Sequence, residues 1–373
     1  MPLFKPIGWW ENKEKVLVIG LGYVGLTLAV HLSRNGYITY GVEIDKKIVQ
    51  SIRNRTAHFY EPGINKLIKK LLNKKLFVSD KVPDLRYDVI IISVGTPLYK
   101  GETKTNMQYL KQSLDSIAPV YKKSTLIVLR STVGVGTTRN FVFPIIKSWF
   151  KMPDNQILLS FCPERTAEGM ALDELKNLPQ LVSGYNYNSL QLAHDFFSKI
   201  SSDVYKCPSL EAAELAKLFN NVYRDVNFAI GNIFNNISQR FGIDGNQMIE
   251  LANRGYERSN IALPGFVGGP CLEKDSYILV SNMDDSEEKS NIITFREYNI
   301  NLENSITSWV NDTIENGSKI IVSGIAFKGQ PPTSDIRGSS ALKIIERLKN
   351  NYQIFIHDFY VSESDLKGIE NVK

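Results

Sequence analysis

The chain has 373 residues, enough for two or three domains, with 43% apolar and 22% charged residues and a formal net charge of +5. That balance suits anionic small molecules, and no Arg/Lys block interleaved with aromatics argues for a nucleic-acid partner. No apolar run reaches the roughly 18 residues of a membrane span, and "MPLFKPIGWWENKEK" lacks the apolar stretch of a secretory signal, so a cytoplasmic protein is expected.

"KVLVIG" (15–20) is a short buried-strand run, and "YVGLTLAVHLSRNG" (23–36) turns helical. "YITYGVEID" (37–45) is a second strand, followed by a helix beginning at "KKIVQSIRN". "YDVIIISVGTP" (87–97), "STLIVLRST" (124–132), "NQILLSFCPE" (155–164) and "PQLVSGY" (179–185) are further apolar runs ending in small polar residues. Strands buried on both faces and alternating with helices indicate an α/β chain with a Rossmann-like, doubly wound parallel sheet. Ligands of such sheets sit at the carboxyl ends of the strands, where Thr96, Thr132 and Glu164 fall.

Near residue 210 the period changes. "SLEAAELAKLFNNVYRDVNFAIGNIFNNISQRFG" (209–242) repeats apolar residues at three and four, which predicts one long central helix with a kink near Gly231. A homodimer built on this helix is expected, with Phe219, Val222, Val226, Ala229 and Phe234 supplying the packing surfaces. After a loop, a polar stretch and a helix near 295–315, "SKIIVSGIAF", "SALKIIERLKN" and "YQIFIHDF" start a second Rossmann-like half. Three domains follow: 14–208 for dinucleotide binding, 209–300 central and helical, and 301–373, a C-terminal half with too few strands for a self-sufficient sheet.

"GLGYVG" places Gly20, Gly22 and Gly25 after a strand and before a helix, the dinucleotide fingerprint. Tyr23 and Val24 open the helix whose N-terminus favours phosphate charge. Glu43, at the end of the second strand, would accept bonds from ribose hydroxyls and repel a 2′-phosphate, so NAD is expected over NADP. The three cysteines are too scattered for a disulfide framework, and the four histidines show no metal spacing. Cys162 and Cys207 read as structural. Cys271 does not: in "GFVGGPCLEKD" it follows glycines that let the backbone approach a ligand.

With these stretches in view, the chain resembles the nucleotide-sugar 6-dehydrogenases, which oxidise UDP-sugars to UDP-uronic acids. "GLGYVGL", "GVEID", "YEPG", "SVGTP", "RSTVGVGTT", "CPERTAEG", "AELAKLFNNVYR", "GGPCLEKD" and "GIAFKG…SDIRGS" run in family order over residues 15 to 345. The resemblance implies Cys271 as nucleophile, Lys217 and Asn221 around an oxyanion, Asp275 beside the catalytic water, and Thr132 and Glu168 assisting. It further implies Glu164 as a residue that seats substrate or acts as a base, and Arg165, Arg258, Lys328 and Arg337 as substrate contacts, Arg258 reaching across a dimer.

Arg165 and "ELKNLPQLVSG" point toward the 2-acetamido branch: UDP-N-acetylmannosamine first, with UDP-N-acetylglucosamine or UDP-glucose as alternatives. Gly134 stands where the family usually has proline, and the family's C-terminal domain normally continues beyond residue 373. That leaves open a truncated, inactive paralogue that only binds nucleotides. On the residues alone, Lys217 could simply pair with Glu211 and Glu214, Asn221 could be a polar helix face, and Glu168 and Arg165 could be surface charges.

Overall fold

The structure, a computed structural model, describes residues 15–99, 102–149, 153–363 and 365–366. The opening segment read for a leader, and the outer ends of the first and last expected domains, lie outside the described residues. The chain divides into two compact units, Met1–Lys217 and Leu218–Lys373.

In the first unit, β1 (Lys15–Ile19), β2 (Ile38–Val42), β3 (Leu76–Ser79), β4 (Val89–Ile92), β5 (Leu126–Leu129) and β6 (Leu159–Phe161) form one parallel sheet in the order β3-β2-β1-β4-β5-β6. That is the dinucleotide-binding order, with the chain switching direction at β1 and β4. Successive side chains in a strand point to opposite faces. Val16, Val18, Val89, Ile91, Leu126 and Val128 therefore enter one core, and Leu17, Ile19, Ile90, Ile92, Ile127 and Leu129 the other.

Two sequence expectations are corrected here. β3 went unread because it is a short edge strand of alternating burial among lysines, not an apolar run. The 179–185 run is not a further strand of the main sheet. β7 (Gln180–Val182) pairs with β8 (Val204–Lys206) in a separate two-stranded sheet, while Ser183 and Tyr185 donate backbone N–H bonds to Phe161 and Leu159 of β6.

The long helix spans Leu210–Arg240 and its helical assignment is continuous through Gly231, where a kink was expected. Glycine has another use there: a Cβ would lie 2.1 Å from the carbonyl oxygen of Ala262. Of the side chains expected to carry dimer packing, Val222 and Ala229 are buried within the chain and Val226 is half-buried. Phe219 and Phe234 stay exposed. Among the described residues no helix is long and apolar enough to cross a membrane.

In the second unit β9 (Lys319–Ser323) and β10 (Gln353–His357) pair in parallel. The helices Glu287–Thr313 and Ser340–Leu348 pack against each other beside them. Ile325, Ile345, Leu348 and Ile354 form the centre of this smaller core.

Candidate active site

The cofactor half is built at the carboxyl ends of β1, β2, β4 and β5. Gly25 is required by close packing, since a Cβ would lie 1.8 Å from the carbonyl oxygen of Gly20, whereas at Gly22 a Cβ would meet nothing within 4 Å. The turn is thus tight where chain meets chain and open where a phosphate would approach. It leads into the helix Tyr23–Arg34, whose first turn carries no acidic residue to compete with that phosphate. Glu43 accepts the backbone N–H of Leu21 at 2.8 Å and of Asp45 at 3.1 Å, fixing its carboxylate beside the turn. These residues fit a dinucleotide: room at Gly22, a helix N-terminus, and a positioned carboxylate.

Thr96 is buried and donates to the Thr132 carbonyl at 2.5 Å, while Ser131 donates to the Val94 carbonyl at 2.7 Å, so the loops after β4 and β5 are stitched together. Glu214 holds the far end of the second loop, accepting from Gly136 N–H at 2.6 Å and from the Thr138 N–H and hydroxyl at 2.9 and 2.6 Å. Burial pushes the Glu214 carboxyl above the usual range, and these donors oppose the shift. Glu214 is therefore occupied by the loop. Glu211 pairs with Arg139 at 2.6 Å. Lys217, half-buried on the same helix, is not paired with either carboxylate as the plain reading of the sequence allowed.

The segment after β6 is fastened by three carboxylates. Glu164 is buried and bonded by Arg130 Nε at 3.1 Å and by the N–H groups of Arg165 and Thr166 at 2.7 and 2.8 Å. Burial alone would raise its carboxyl, but the Arg130 charge and these bonds hold it below the usual range. Glu174 accepts from Ala167 N–H at 2.6 Å. Glu61 accepts from Gly169 N–H at 2.9 Å, from Leu172 N–H at 3.0 Å, and from the Tyr23 hydroxyl. Tyr23 is consequently turned inward against Phe59, and only its backbone remains for a cofactor. Glu168 rides on this fastened loop, half-buried. Arg165 directs its guanidinium to the Pro179 carbonyl.

Arg130 and Glu61 carry no role read from the sequence, and Glu214 only that of a possible partner for Lys217. An arginine inside the apolar run "STLIVLRST" was the one legible signal among them, because a charge in a buried strand requires a buried partner.

In the second unit, Cys271 is exposed and stands at the N-cap of the helix Leu272–Val280. Asp275, one turn later, is buried, accepting from Asn221 Nδ2 at 2.6 Å and from Lys274 Nζ at 2.7 Å. The preceding glycines are needed for close approach: a Cβ on Gly268 would lie 2.1 Å from the Gly338 carbonyl oxygen, and one on Gly269 2.4 Å from the Phe327 ring. Cys162, by contrast, is fully buried, and burial pushes its thiol up to about 12, while Cys207 is half-buried.

At the carboxyl ends of β9 and β10 lies a cavity of about 490 Å³ whose lining includes Phe327, Lys328, Thr333, His357, Asp358 and Tyr360. Lys328 is therefore placed on a cavity. Arg337 is exposed and bonded to Asp335, and Arg258 is exposed with its guanidinium over the Tyr256 ring. Among the described residues no group of three or more His, Cys, Asp or Glu could hold a metal ion.

The NAD binding domain model of the UDP-glucose/GDP-mannose dehydrogenase family matches residues 14–206, and the family's central domain matches residues 211–302. The chain belongs to this family. It is an NAD-dependent oxidoreductase, and its activity at family level is dehydrogenation of a UDP-sugar. It is 31% identical over 355 residues to the UDP-N-acetyl-D-mannosamine dehydrogenase of Methanocaldococcus jannaschii, covering 94% of this chain and 80% of that protein.

Among solved structures, the UDP-N-acetylmannosamine dehydrogenase of Pyrococcus horikoshii matches with a TM-score of 0.85 and 29% identity, over 95% of this chain and 87% of that one. A UDP-glucose dehydrogenase of Pyrobaculum islandicum reaches a TM-score of 0.84 at 21% identity, over 99% and 87% of the two chains. That likeness shows the fold alone.

Proposed function

We propose that this protein oxidises the C6 alcohol of a UDP-N-acetylhexosamine, UDP-N-acetylmannosamine foremost, to the uronic acid through a covalent bond to Cys271. The observation that carries the reading is an exposed cysteine at a helix N-cap, one turn ahead of a buried aspartate that Asn221 and Lys274 hold in place. Relatives about 30% identical along nearly the whole chain carry the name UDP-N-acetyl-D-mannosamine dehydrogenase, which supports the sugar.

The glycine turn of Gly20, Gly22 and Gly25, the backbone of Tyr23 and Val24, and Glu43, Thr96 and Thr132 would hold NAD. NAD supplies a hydride acceptor worth two electrons per molecule, so a four-electron oxidation uses two in succession. The C6 alcohol first loses a hydride from carbon and its hydroxyl proton to become the aldehyde; the Cys271 sulfur then adds to C6, the thiol proton passing to the oxygen, which becomes a hydroxyl. Loss of a hydride from C6 and of the hydroxyl proton leaves a thioester. Asp275 takes a proton from water, the hydroxide adds at C6, and the C–S bond breaks, the departing sulfur taking the proton back from Asp275 to give the thiol and the acid.

Lys217 and Asn221, one turn apart on the long helix, face the oxyanion, and Thr132 and Glu168 help order the water. Lys328 meets the nucleotide in the C-terminal cavity, with Arg337, Arg165 and a partner subunit's counterpart of Arg258 completing the substrate contacts. Glu164 contributes by holding its loop rather than as a base. Three domains, 14–208, 209–300 and 301–373, divide this work, in a cytoplasmic homodimer. Phe219, Tyr223, Phe234, Ile237 and Phe241, exposed on and just after the long helix, support a dimer face.

The test is NADH yield against a panel of UDP-sugars. Two NADH per UDP-N-acetylmannosamine, with the acid as product, is expected. A higher kcat/KM for UDP-N-acetylglucosamine or UDP-glucose would move the sugar. No turnover of any UDP-sugar would overturn the reading in favour of a paralogue that only binds nucleotides.

A further inference from the structure

The helix Glu287–Thr313 buries an arginine under the loop that carries Cys271. Arg296 is 1% exposed, and its Nη1 bonds Asp225 Oδ1 at 2.7 Å and the Leu272 carbonyl at 3.3 Å, while Nη2 bonds the Val267 carbonyl at 3.1 Å. Asp225, on the long helix, is itself held by Asn299 Nδ2 at 2.9 Å and by the Ser276 hydroxyl at 3.0 Å. About two turns along the same helix, Asn232 grips Gly265 from both sides, donating to its carbonyl at 3.0 Å and accepting its N–H at 2.8 Å. Asn299 also bonds Asn232 at 3.2 Å, so the two grips form one buried network.

The 265–272 segment is thereby pinned at residues 265, 267 and 272, before and immediately after Cys271. A buried ion pair that served stability alone could be replaced by apolar packing at little cost. Here the guanidinium does something an apolar side chain or a point charge cannot: its planar fork reaches two carbonyls on either side of the cysteine while neutralising Asp225.

We propose that Arg296 is a positioning residue for Cys271, setting the thiol at the head of the helix Leu272–Val280 with Asp225, Asn299 and Asn232 as its supports. The proposal rests on Cys271 being the nucleophile. Arg296→Lys keeps a positive charge beside Asp225 but loses the fork. In the folded variant, kcat should fall at least about tenfold with KM for NAD and UDP-sugar within about twofold. Iodoacetamide alkylation of Cys271, followed by peptide mass spectrometry, should slow at least about fivefold as the sulfur leaves the amide end of its helix.

Wild-type kcat and wild-type alkylation in folded Arg296→Lys would overturn the proposal. So would a fall in kcat with alkylation unchanged, which would put the damage elsewhere. If that variant does not fold, Asn232→Ser removes the Gly265 grip without stranding a charge, and the same two outcomes decide. A wild type that turns over no UDP-sugar would sink the proposed function, while the alkylation comparison would still test the positioning.

Discussion

Strands β4 and β5 are buried along their whole length, whereas β9 alternates exposed with half-buried residues, although all three lie in parallel sheets. The six-stranded sheet feeds a separate core on each face. The β9–β10 pair feeds one core, and Ile321 on β9 remains 73% exposed. Parallel strands are ordinarily covered on both sides, so the cofactor-binding unit holds the larger reserve of apolar burial. The unit carrying Cys271 and the C-terminal cavity relies more on polar anchoring, seen in Arg296, Asp225 and Asn232. The cofactor-side loops are stitched by hydrogen bonds over two packed cores; the cysteine loop is held by hydrogen bonds beside a smaller one.

The largest test of this contrast is Cys271→Ser. NAD binding, a property of the first unit, should be unchanged by fluorescence titration, while steady NADH production with UDP-sugar falls by about a thousandfold or more, since a serine hydroxyl is far less ionised than a thiol. A variant with wild-type turnover would remove the covalent chemistry from the second unit.

Next come core truncations. Ile91→Ala, fully buried in β4, should cost about 2–5 kcal/mol in urea unfolding, whereas Ile321→Ala should stay within about 0.5 kcal/mol. Equal costs would mean that the two sheets are packed alike.

His31 gives the first unit a pH dependence. Its Nε2 lies 2.7 Å from the Ile200 carbonyl and its Nδ1 2.9 Å from Arg34 Nη2, an arrangement that a neutral ring satisfies by donating to one and accepting from the other. Burial pushes its imidazole from 6.5 down to about 4. The unfolded chain therefore binds the extra proton first, so this stability is present above pH 6.5 and is lost as pH falls toward 4. The loss amounts to about 3 kcal/mol. His31→Gln should flatten the fall in Tm over that window; an unchanged slope would show that His31 does not set it.

The smallest effect on function is expected at Glu43. Glu43→Gln removes repulsion toward a 2′-phosphate and should narrow the preference for NAD over NADP by about tenfold in kcat/KM. A wild type that uses both cofactors equally would undo the ribose assignment.

Local chemistry determined a good deal by itself. "KVLVIG", "YDVIIISVGTP" and "STLIVLRST" are strands buried on both faces, so their apolar character shows in every residue and needs no partner to be recognised. The glycine turn, Glu43 and the setting of Cys271 were legible for a similar reason: each depends on neighbours within a few residues.

Tertiary structure decided what depends on distant partners. β3 is a strand only because β2 lies beside it, and the 179–185 run joins β8 because of where that segment returns. Val222 and Ala229, which periodicity could equally assign to an outer face, turn inward. Glu61, Arg130, Glu214 and Arg296 take their roles from partners 24 to 111 residues away. A buried ionisable group takes its role from the groups that bond it, and only folding chooses those groups.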